Sequence, residues 1–216
     1  MEVLNDPLPE ELVQNTRNAR GNLATKNARY RQAVCNHLSL RWESIAGAGN
    51  CFFSAVTTSL LATLPNSPVS SLGEQRLRAE VVNWLRLQIE QNDNLAERVQ
   101  AEIDAELGVR SFYYALLQRL TLTSQTPLEC SKRGVARVTP NTREEYLDAV
   151  AVDRVWIQGY HWPRAVSIIA GVRVGVAIYP FDSIIYYGRG NETIYLYKAD
   201  AETHFDALVP QAWQRA

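Results

Sequence analysis

The spacing of hydrophobic positions predicts helices along the first two thirds of the chain. Apolar residues recur every three or four positions in several segments, the period of one face of an α-helix. These segments are residues 9–19, 22–38, 72–91, 95–107 and 110–120. An apolar run that begins at Cys51 and stops before Pro65 is long enough for a buried helix.

Two short polar motifs predict where helices begin. Ser71–Glu74 and Thr142–Glu145 each place a hydroxyl three residues before a glutamate, which is the capping-box pattern. The first should open the helix at 72–91, and the second a helix that continues to Val152. The polar stretch at 121–141 predicts a long surface loop.

The last third of the chain has the alternating pattern of β-strands. Residues 172–178 alternate between branched apolar residues and small or polar ones, which predicts a strand. Two tyrosine-rich runs, 184–187 and 193–197, flank the glycine-containing segment 188–191 and predict a β-hairpin. One more short strand is expected at 205–209. Helices followed by a small sheet indicate the α+β class.

Composition and net charge exclude several classes of protein. The 216 residues are 46% apolar and 21% charged, as in globular domains, so a disordered chain is excluded. The formal net charge of −1 offers no electrostatic footprint for nucleic acid or an anionic membrane. No run reaches the roughly 18 apolar residues of a membrane span, and the first residues do not resemble a signal peptide. We therefore expect a soluble, cytoplasmic monomer that binds neither nucleic acid nor membrane.

Three cysteines and three histidines limit the chemistry available. Three unevenly spaced cysteines do not make a disulfide framework, which favours a reducing compartment. Cys35 and His37 lack the further ligands of a zinc site, so we interpret them as a partly buried helix end and expect no metal or other cofactor.

The strongest local signal is the segment around Cys51. The glycine-rich loop 47–50 leads directly into the apolar helix that Cys51 begins. The positive end of the helix dipole favours the thiolate, which is the nucleophilic form of cysteine. The glycines allow backbone N–H groups to converge beside the sulfur, as stabilisation of an oxyanion requires. A small buried cysteine after a tight turn is the alternative interpretation of the same residues.

A second signal lies near the C-terminal end. His204 and Asp206 are two residues apart, so in an extended segment their side chains lie on the same side. The carboxylate can then orient the imidazole, as the third member of a Cys–His unit does. A loop histidine beside a strand-end aspartate is the alternative. A nucleophile at a helix start with its base about 150 residues later is an order found in papain-like proteases.

Both segments resemble those of the ovarian tumour (OTU) domain cysteine proteases. Residues 47–56 look like the family's Asp-Gly-Asn-Cys-Leu-Phe-Arg-Ala-Val box, and residues 204–209 are similar to its His-Tyr-Asp box. The intervening residues 146–178 resemble the family's central helix, Trp-Gly-Gly turn, helix and strand. Two departures stand out: Ala48 replaces the usual aspartate, and the turn at 156–159 carries one additional residue.

The resemblance, which covers residues 40–210, implies a papain-like OTU fold. This fold is a small mixed β-sheet flanked by helices, with a helical ubiquitin-binding arm that we expect at 70–120. The chain would divide into an N-terminal helical extension, residues 1–39, and an OTU-like protease domain, residues 40–216. The implied activity is that of a deubiquitinase, which hydrolyses isopeptide bonds at the C-terminus of ubiquitin. Its partners would be ubiquitin or polyubiquitin chains.

The resemblance also implies a role for individual residues. The catalytic residues would be the nucleophile Cys51, the base His204 and the orienting Asp206. The oxyanion would be held by Cys51 N–H and by the loop residues Ala48, Gly49 and Asn50. The groove for the ubiquitin tail would be lined by Trp156, Gly159 and His161. For His161, packing within an aromatic cluster is the alternative.

Two further hypotheses stay open at the level of sequence. Loss of the aspartate at Ala48 is compatible with a catalytically weak OTU-like module that binds ubiquitin without cleaving it. The same Cys–His pair would also serve a thiol hydrolase that acts on another acyl substrate. Of the 22 basic residues only three are lysine. So few lysines suit a protein that works beside ubiquitin ligases. Such a protein would act in a eukaryotic cytosol, or in a host cytosol as a secreted effector. Arginine-rich codon usage is the alternative explanation.

Overall fold

The computed structural model describes residues 4–46, 50–121, 142–151, 161–199 and 204–214. Within these ranges a six-stranded mixed sheet is combined with seven α-helices. The α+β class that the sequence predicts is therefore confirmed. Among the described helices, none combines the length and apolarity that crossing a bilayer requires.

The helices and strands follow in an order that places most helices before most strands. The strands are β1 Leu4–Pro7, β2 Leu40–Glu43, β3 Arg173–Tyr179, β4 Ser183–Tyr187, β5 Thr193–Ala199 and β6 Phe205–Pro210. The helices are α1 Glu10–Arg17, α2 Leu23–Leu38, α3 Cys51–Thr63, α4 Gly73–Ile89, α5 Asn94–Thr121, α6 Arg143–Ala151 and α7 His161–Ala170, with a 3₁₀ turn at Pro68–Ser71.

The strand order corrects one prediction. The sheet runs β1-β4-β3-β5-β6-β2, with β3 and β5 parallel and every other neighbouring pair antiparallel. The two tyrosine-rich runs are strands, as predicted, but the β-hairpin between them is wrong because β3 lies between β4 and β5. The connection from β4 must pass over the start of β3 to reach the far side.

Two glycines make that crossing possible. A Cβ on Gly190 would lie 2.5 Å from the Gly171 carbonyl oxygen and equally close to Val172 Cα, so the chain passes in direct contact with β3. Gly188 has φ +85°, a conformation that favours glycine. The glycines that look like a hairpin turn in sequence are therefore needed for a close approach of backbones.

The sheet is buried on both faces. The larger core lies between one face and the helices α3 to α7, and the smaller core lies between the other face and α1 and α2. Strand residues alternate between the two cores. In β6, for example, Phe205 and Ala207 belong to the larger core and Leu208 to the smaller one.

The N-terminal segment is part of the same sheet. Residues 1–39 contain the two helices predicted for them, but β1 precedes these helices and pairs with β4 at one edge. Tyr30 and Val34 of α2 are buried in the smaller core. Residues 1–39 therefore cover one face of the sheet and lengthen it by β1, and the division of the chain at residue 39 stays a prediction.

The helix starts agree with the sequence at one capping box and not at the other. The Glu145 N–H donates to Thr142 Oγ1 (3.2 Å), so the box at the start of α6 is confirmed in its N-terminal half. At the other site Ser71 donates to the Pro68 carbonyl within the 3₁₀ turn, and α4 begins without a side-chain cap.

The two helices predicted at 95–107 and 110–120 are one helix, α5. Gly108, between the two predicted segments, lies inside it. A helix interior tolerates a glycine at a cost of about 1 kcal/mol. The loop predicted at 121–141 falls almost entirely outside the described residues.

Candidate active site

Cys51 is the first residue of α3 and is buried at the start of that helix. The helix begins here because the apolar run that follows packs into the larger core, where Phe52 and Phe53 are fully buried. Asn50 occupies the N-cap position, φ −100° and ψ 4°, yet its side chain makes no capping hydrogen bond. The other three loop residues, 47–49, lie outside the described residues.

His204 connects Cys51 to Asp206. Its Nε2 lies 3.0 Å from Asp206 Oδ1, and its side chain is also hydrogen-bonded to Cys51. Since Nε2 is engaged by the carboxylate, Nδ1 is the ring nitrogen left to face the sulfur. The structure thus brings together the three side chains that the sequence proposed as nucleophile, base and orienting carboxylate.

These two hydrogen bonds set the charge of the imidazole. The bond to Asp206, followed by the bond to Cys51, raises the pKa of His204 to about 10, although partial burial acts in the opposite direction. The imidazole is therefore protonated at neutral pH. A protonated ring beside a thiol is the arrangement that favours an anionic sulfur.

Asp206 is buried and supported from several sides. Its Oδ1 accepts a hydrogen bond from the Ile45 N–H (3.0 Å), its carboxylate accepts another from the Trp42 side chain, and Arg31 Nη1 lies 3.9 Å from Oδ2. Burial by itself raises the pKa of Asp206, but the hydrogen bonds from His204, Ile45 and Trp42 outweigh it, so the pKa lies below its usual value. Asp206 is therefore a charged acceptor throughout the neutral range.

Cys51 and Asp206, which His204 connects, belong to different cores. Cys51 lies in the larger core, whereas Asp206 shares the strand face of Leu208, which lies in the smaller core. Asp206 is paired across the sheet with Tyr197, also of the smaller core. His204, just before β6, therefore joins groups held on opposite sides of the sheet.

His161 requires a correction. Its side chain is 0% exposed, with Nε2 3.0 Å from the Tyr146 hydroxyl and 3.7 Å from Glu106 Oε2. The Tyr146 hydroxyl also accepts a hydrogen bond from Trp162 Nε1 (3.2 Å). A residue buried in this way cannot line a groove for a substrate tail, and the alternative of packing within an aromatic cluster is what the structure shows.

Of the other predicted site residues, the structure describes only one. Ala48, Gly49, Trp156 and Gly159 lie outside the described residues, so their roles stay predictions. Asn50 is described and directly precedes Cys51.

Cys35 is a second buried cysteine, and its surroundings differ from those of Cys51. It is buried near the end of α2, and this burial raises the pKa of its thiol to about 11, so the thiol is protonated at neutral pH. Its position agrees with the helix end that the sequence predicts. Among the described residues, no group of three or more His, Cys, Asp and Glu side chains is arranged to hold a metal ion.

Sequence reasoning missed three residues around the site, namely Arg31, Trp42 and Arg78. The first two support the Asp206 carboxylate, and Arg78 binds the Asn50 side chain. No local motif marks them, because each reaches the site only through the packing of distant segments.

Comparison with known proteins shows similarity at the level of structure. No protein-family model and no curated protein matches the chain. Similar solved structures include the viral OTU domain protease from Dera Ghazi Khan virus (14% identity, 79% of this chain and 80% of that one, TM-score 0.45). Others are the OTUD1 OTU domain (16%, 86% and 96%, TM-score 0.47) and the Hazara virus OTU bound to ubiquitin (19%, 78% and 80%, TM-score 0.39). These are distant likenesses of overall fold, so function is inferred below from the side chains.

Proposed function

We propose that the protein is a cysteine-type deubiquitinase. The observation that carries this proposal is the hydrogen-bonded row of Cys51, His204 and Asp206, with the sulfur at the first residue of a buried helix. The OTU-like sequence boxes that contain these residues direct the proposal to ubiquitin as the acyl donor. The bond cleaved would be the isopeptide bond between the terminal glycine of ubiquitin and a lysine.

In the first half of the reaction Cys51 Sγ attacks the glycyl carbonyl carbon as a thiolate. His204, as the imidazolium, passes a proton to the nitrogen of the leaving lysine amine as the C–N bond breaks. The products of this half are the free amine and a thioester between ubiquitin and Cys51.

In the second half water attacks the thioester. His204 accepts a proton from the water, the C–S bond breaks, and the carboxylate of ubiquitin is released. The second proton of the water is lost to solvent, and the enzyme ends in its starting state with a thiolate and an imidazolium. No redox step or cofactor is needed at any point.

Asp206 would keep the His204 ring in the productive orientation. By engaging Nε2 it leaves Nδ1 toward the sulfur, and it favours the imidazolium that must protonate the amine. The replacement of the usual aspartate by Ala48 leaves this carboxylate as the orienting group. Backbone N–H groups at the start of α3 would stabilise the oxyanion, which does not require a side chain at Ala48.

The direct test is reaction with ubiquitin that carries a C-terminal electrophile. We expect the wild type to form a covalent adduct, and Cys51→Ala to form none while it still binds ubiquitin. Cys35→Ala is the matched control, since it removes another buried thiol and should leave the adduct intact.

The alternatives give different results in this test. A folded wild type that binds ubiquitin without forming an adduct would be a binding module. A wild type that does not react with ubiquitin but hydrolyses small thioesters through Cys51 would be a hydrolase of another acyl substrate. Either result would overturn the proposal.

A further inference from the structure

The two oxygens of the Asp206 carboxylate have different neighbours. Oδ1 lies 3.0 Å from His204 Nε2 and accepts a hydrogen bond of the same length from the Ile45 N–H. Oδ2 faces α2, where Arg31 Nη1 lies 3.9 Å away. That contact is an ion pair and is too long for a hydrogen bond. The charge of Arg31 therefore attracts the carboxylate, but this contact alone does not fix the orientation of the carboxylate.

Arg31 is itself held in place by aromatic rings. Its Cζ lies 3.5 Å from the centre of the Trp42 ring and 5.8 Å from the centre of the Tyr197 ring. Both distances are within the range of a cation–π contact. A planar guanidinium stacks on an aromatic face, whereas the ammonium of lysine is a compact point charge. The shape of the arginine side chain, and not only its charge, therefore determines the contact with Trp42.

This stack bears on the one hydrogen bond that the Trp42 side chain can donate. Trp42 lies on β2, an edge strand of the sheet, and its side chain is exposed. It donates a hydrogen bond to the Asp206 carboxylate. An indole has a single N–H donor, so the bond depends on the orientation of the ring. Arg31, which covers one face of the indole, restricts that orientation.

The turn of α2 that carries Arg31 is anchored to the sheet. Tyr30, the preceding residue, is buried in the smaller core, and its hydroxyl donates to the Phe181 carbonyl (2.6 Å). Val34, one turn further along α2, is buried in the same core. Residues four apart lie on the same face of a helix, so both side chains fix this turn against the sheet. Arg31 therefore extends from a backbone that is itself held in position.

We propose that Arg31 is a positioning residue for Asp206 and acts through the ring of Trp42. By stacking on the indole it keeps the Trp42 N–H on the carboxylate, which in turn keeps Oδ1 on His204. Arg31 touches none of the reacting atoms. A residue of the segment 1–39 thus belongs to the arrangement that orients the base. This inference rests on the proposed function, because the orientation of Asp206 affects turnover only if His204 takes part in the reaction.

Arg31→Lys tests the stack, because it keeps a positive charge and removes the planar group. We expect kcat toward a ubiquitin C-terminal amide to fall about two- to tenfold, the effect of losing one hydrogen bond. KM should change little, because an effect transmitted through His204 acts on the chemical step. Wild-type kcat in the folded variant would overturn the inference. A rise in KM at unchanged kcat would also overturn it, since Arg31 would then contact the substrate.

The Trp42 indole gives a direct readout of the stack. Its N–H resonance can be assigned by its absence from the NMR spectrum of Trp42→Phe. In Arg31→Lys this N–H should exchange with solvent faster than in the wild type, because the ring is held less firmly on the carboxylate. An unchanged exchange rate would overturn the route through Trp42, whatever the effect on kcat.

Combining the two substitutions tests whether Arg31 acts through Trp42. Phenylalanine has no N–H to donate to Asp206, so in Trp42→Phe the bond that Arg31 is proposed to hold is already lost. The double variant should therefore be no slower than Trp42→Phe alone. Losses that multiply would mean that Arg31 acts on Asp206 by another route, and would overturn the inference.

Arg173→Lys is the matched control for an arginine stacked in the same core. Arg173 Cζ lies 5.2 Å from the centre of the Tyr186 ring, and Tyr186 belongs to the smaller core. Arg173 is on β3, which β5 separates from the strand of Asp206. This variant should keep its kcat. Equal losses of kcat in Arg31→Lys and Arg173→Lys would reduce the effect to general loosening of the smaller core and overturn the inference.

The wild type distinguishes this inference from the proposed function. A folded wild type with no turnover of ubiquitin substrates overturns the proposed function and the positioning role with it. An active wild type with a fully active Arg31→Lys variant overturns the positioning role alone.

Discussion

The guanidinium of Arg31 is stacked on the indole of Trp42, with Cζ 3.5 Å from the ring centre, and both side chains reach the Asp206 carboxylate. Arg31 lies on α2 and Trp42 on β2, so the support of the carboxylate comes from the N-terminal part of the chain. Trp42 is 38% exposed, so the buried carboxylate is supported in part by a side chain at the protein surface.

Replacing Trp42 tests that support. Trp42→Phe keeps a ring for Arg31 to stack on and removes the hydrogen bond to Asp206, so the pKa of Asp206 should rise and the carboxylate should be held less firmly. We expect kcat/KM to fall about tenfold, equivalent to about 1.4 kcal/mol. Trp213→Phe is the control, because an arginine also lies over the ring of Trp213: Arg41 Cζ is 5.5 Å from the ring centre. Similar losses in both variants would contradict a specific role for Trp42.

The pH dependence of the reaction should report on His204. Its pKa is raised to about 10, so the imidazolium is present below that pH and is lost as pH rises through it. The alkaline limb of kcat/KM should therefore lie near pH 10. In Asp206→Asn the leading cause of the raised pKa is removed, so this limb should move to lower pH, with a loss of about 100-fold in rate at neutral pH.

Asp148→Asn provides the comparison for a charge change alone. Asp148 forms an exposed ion pair with Arg86. Its substitution should leave the pH profile unchanged. An alkaline limb that stays in place in Asp206→Asn would show that the carboxylate does not set the charge of His204.

The two capping motifs should differ in their contribution to stability. The Thr142 hydroxyl accepts a hydrogen bond from the first turn of α6, whereas that of Ser71 donates within an exposed 3₁₀ turn. Thr142→Ala should lower the free energy of unfolding by about 1 kcal/mol. Ser71→Ala should lower it by less than about 0.5 kcal/mol. Urea denaturation of both variants would check this, and equal losses would contradict the assignment.

The crossing between β4 and β5 should not accept a side chain. A Cβ on Gly190 would meet the backbone that leads into β3 at 2.5 Å, so Gly190→Ala should destabilise the protein by about 1–3 kcal/mol. Gly108 within α5 has no heavy atom within 4 Å of its Cβ position. Gly108→Ala should stabilise by about 0.5–1 kcal/mol. A Gly190 variant as stable as the wild type would mean that the two backbones do not pass in contact.

Sequence patterns are most informative where structure is local. The apolar run of α3 predicts that helix, and a short strand is expected where β6 lies. Each element carries its site residue at or beside its first position. Cys51, with His204 and Asp206 two residues apart, can therefore be proposed as a unit from residue types and spacing alone. Their convergence follows from the packing of α3 against β6 in the larger core.

Features that depend on distant segments could not be predicted in this way. The runs on either side of Gly188 have the pattern of a hairpin, and only the insertion of β3 between them separates the two strands. His161 follows the same rule, because the polar partners that bury it come from α5 and α6. No local motif marks Arg78, and its contact with Asn50 depends on where α4 meets the start of α3.

The burial of the sheet on both faces has a consequence for how the chain could be divided. A fragment that begins at residue 40 would contain Cys51 and His204 but would expose the β-sheet face that α2 covers, with Tyr197 and Leu208 on it. The Asp206 carboxylate would then be exposed to solvent. Residues 1–39 thus cannot be trimmed without loss of the smaller core, and we expect such a fragment to be unstable.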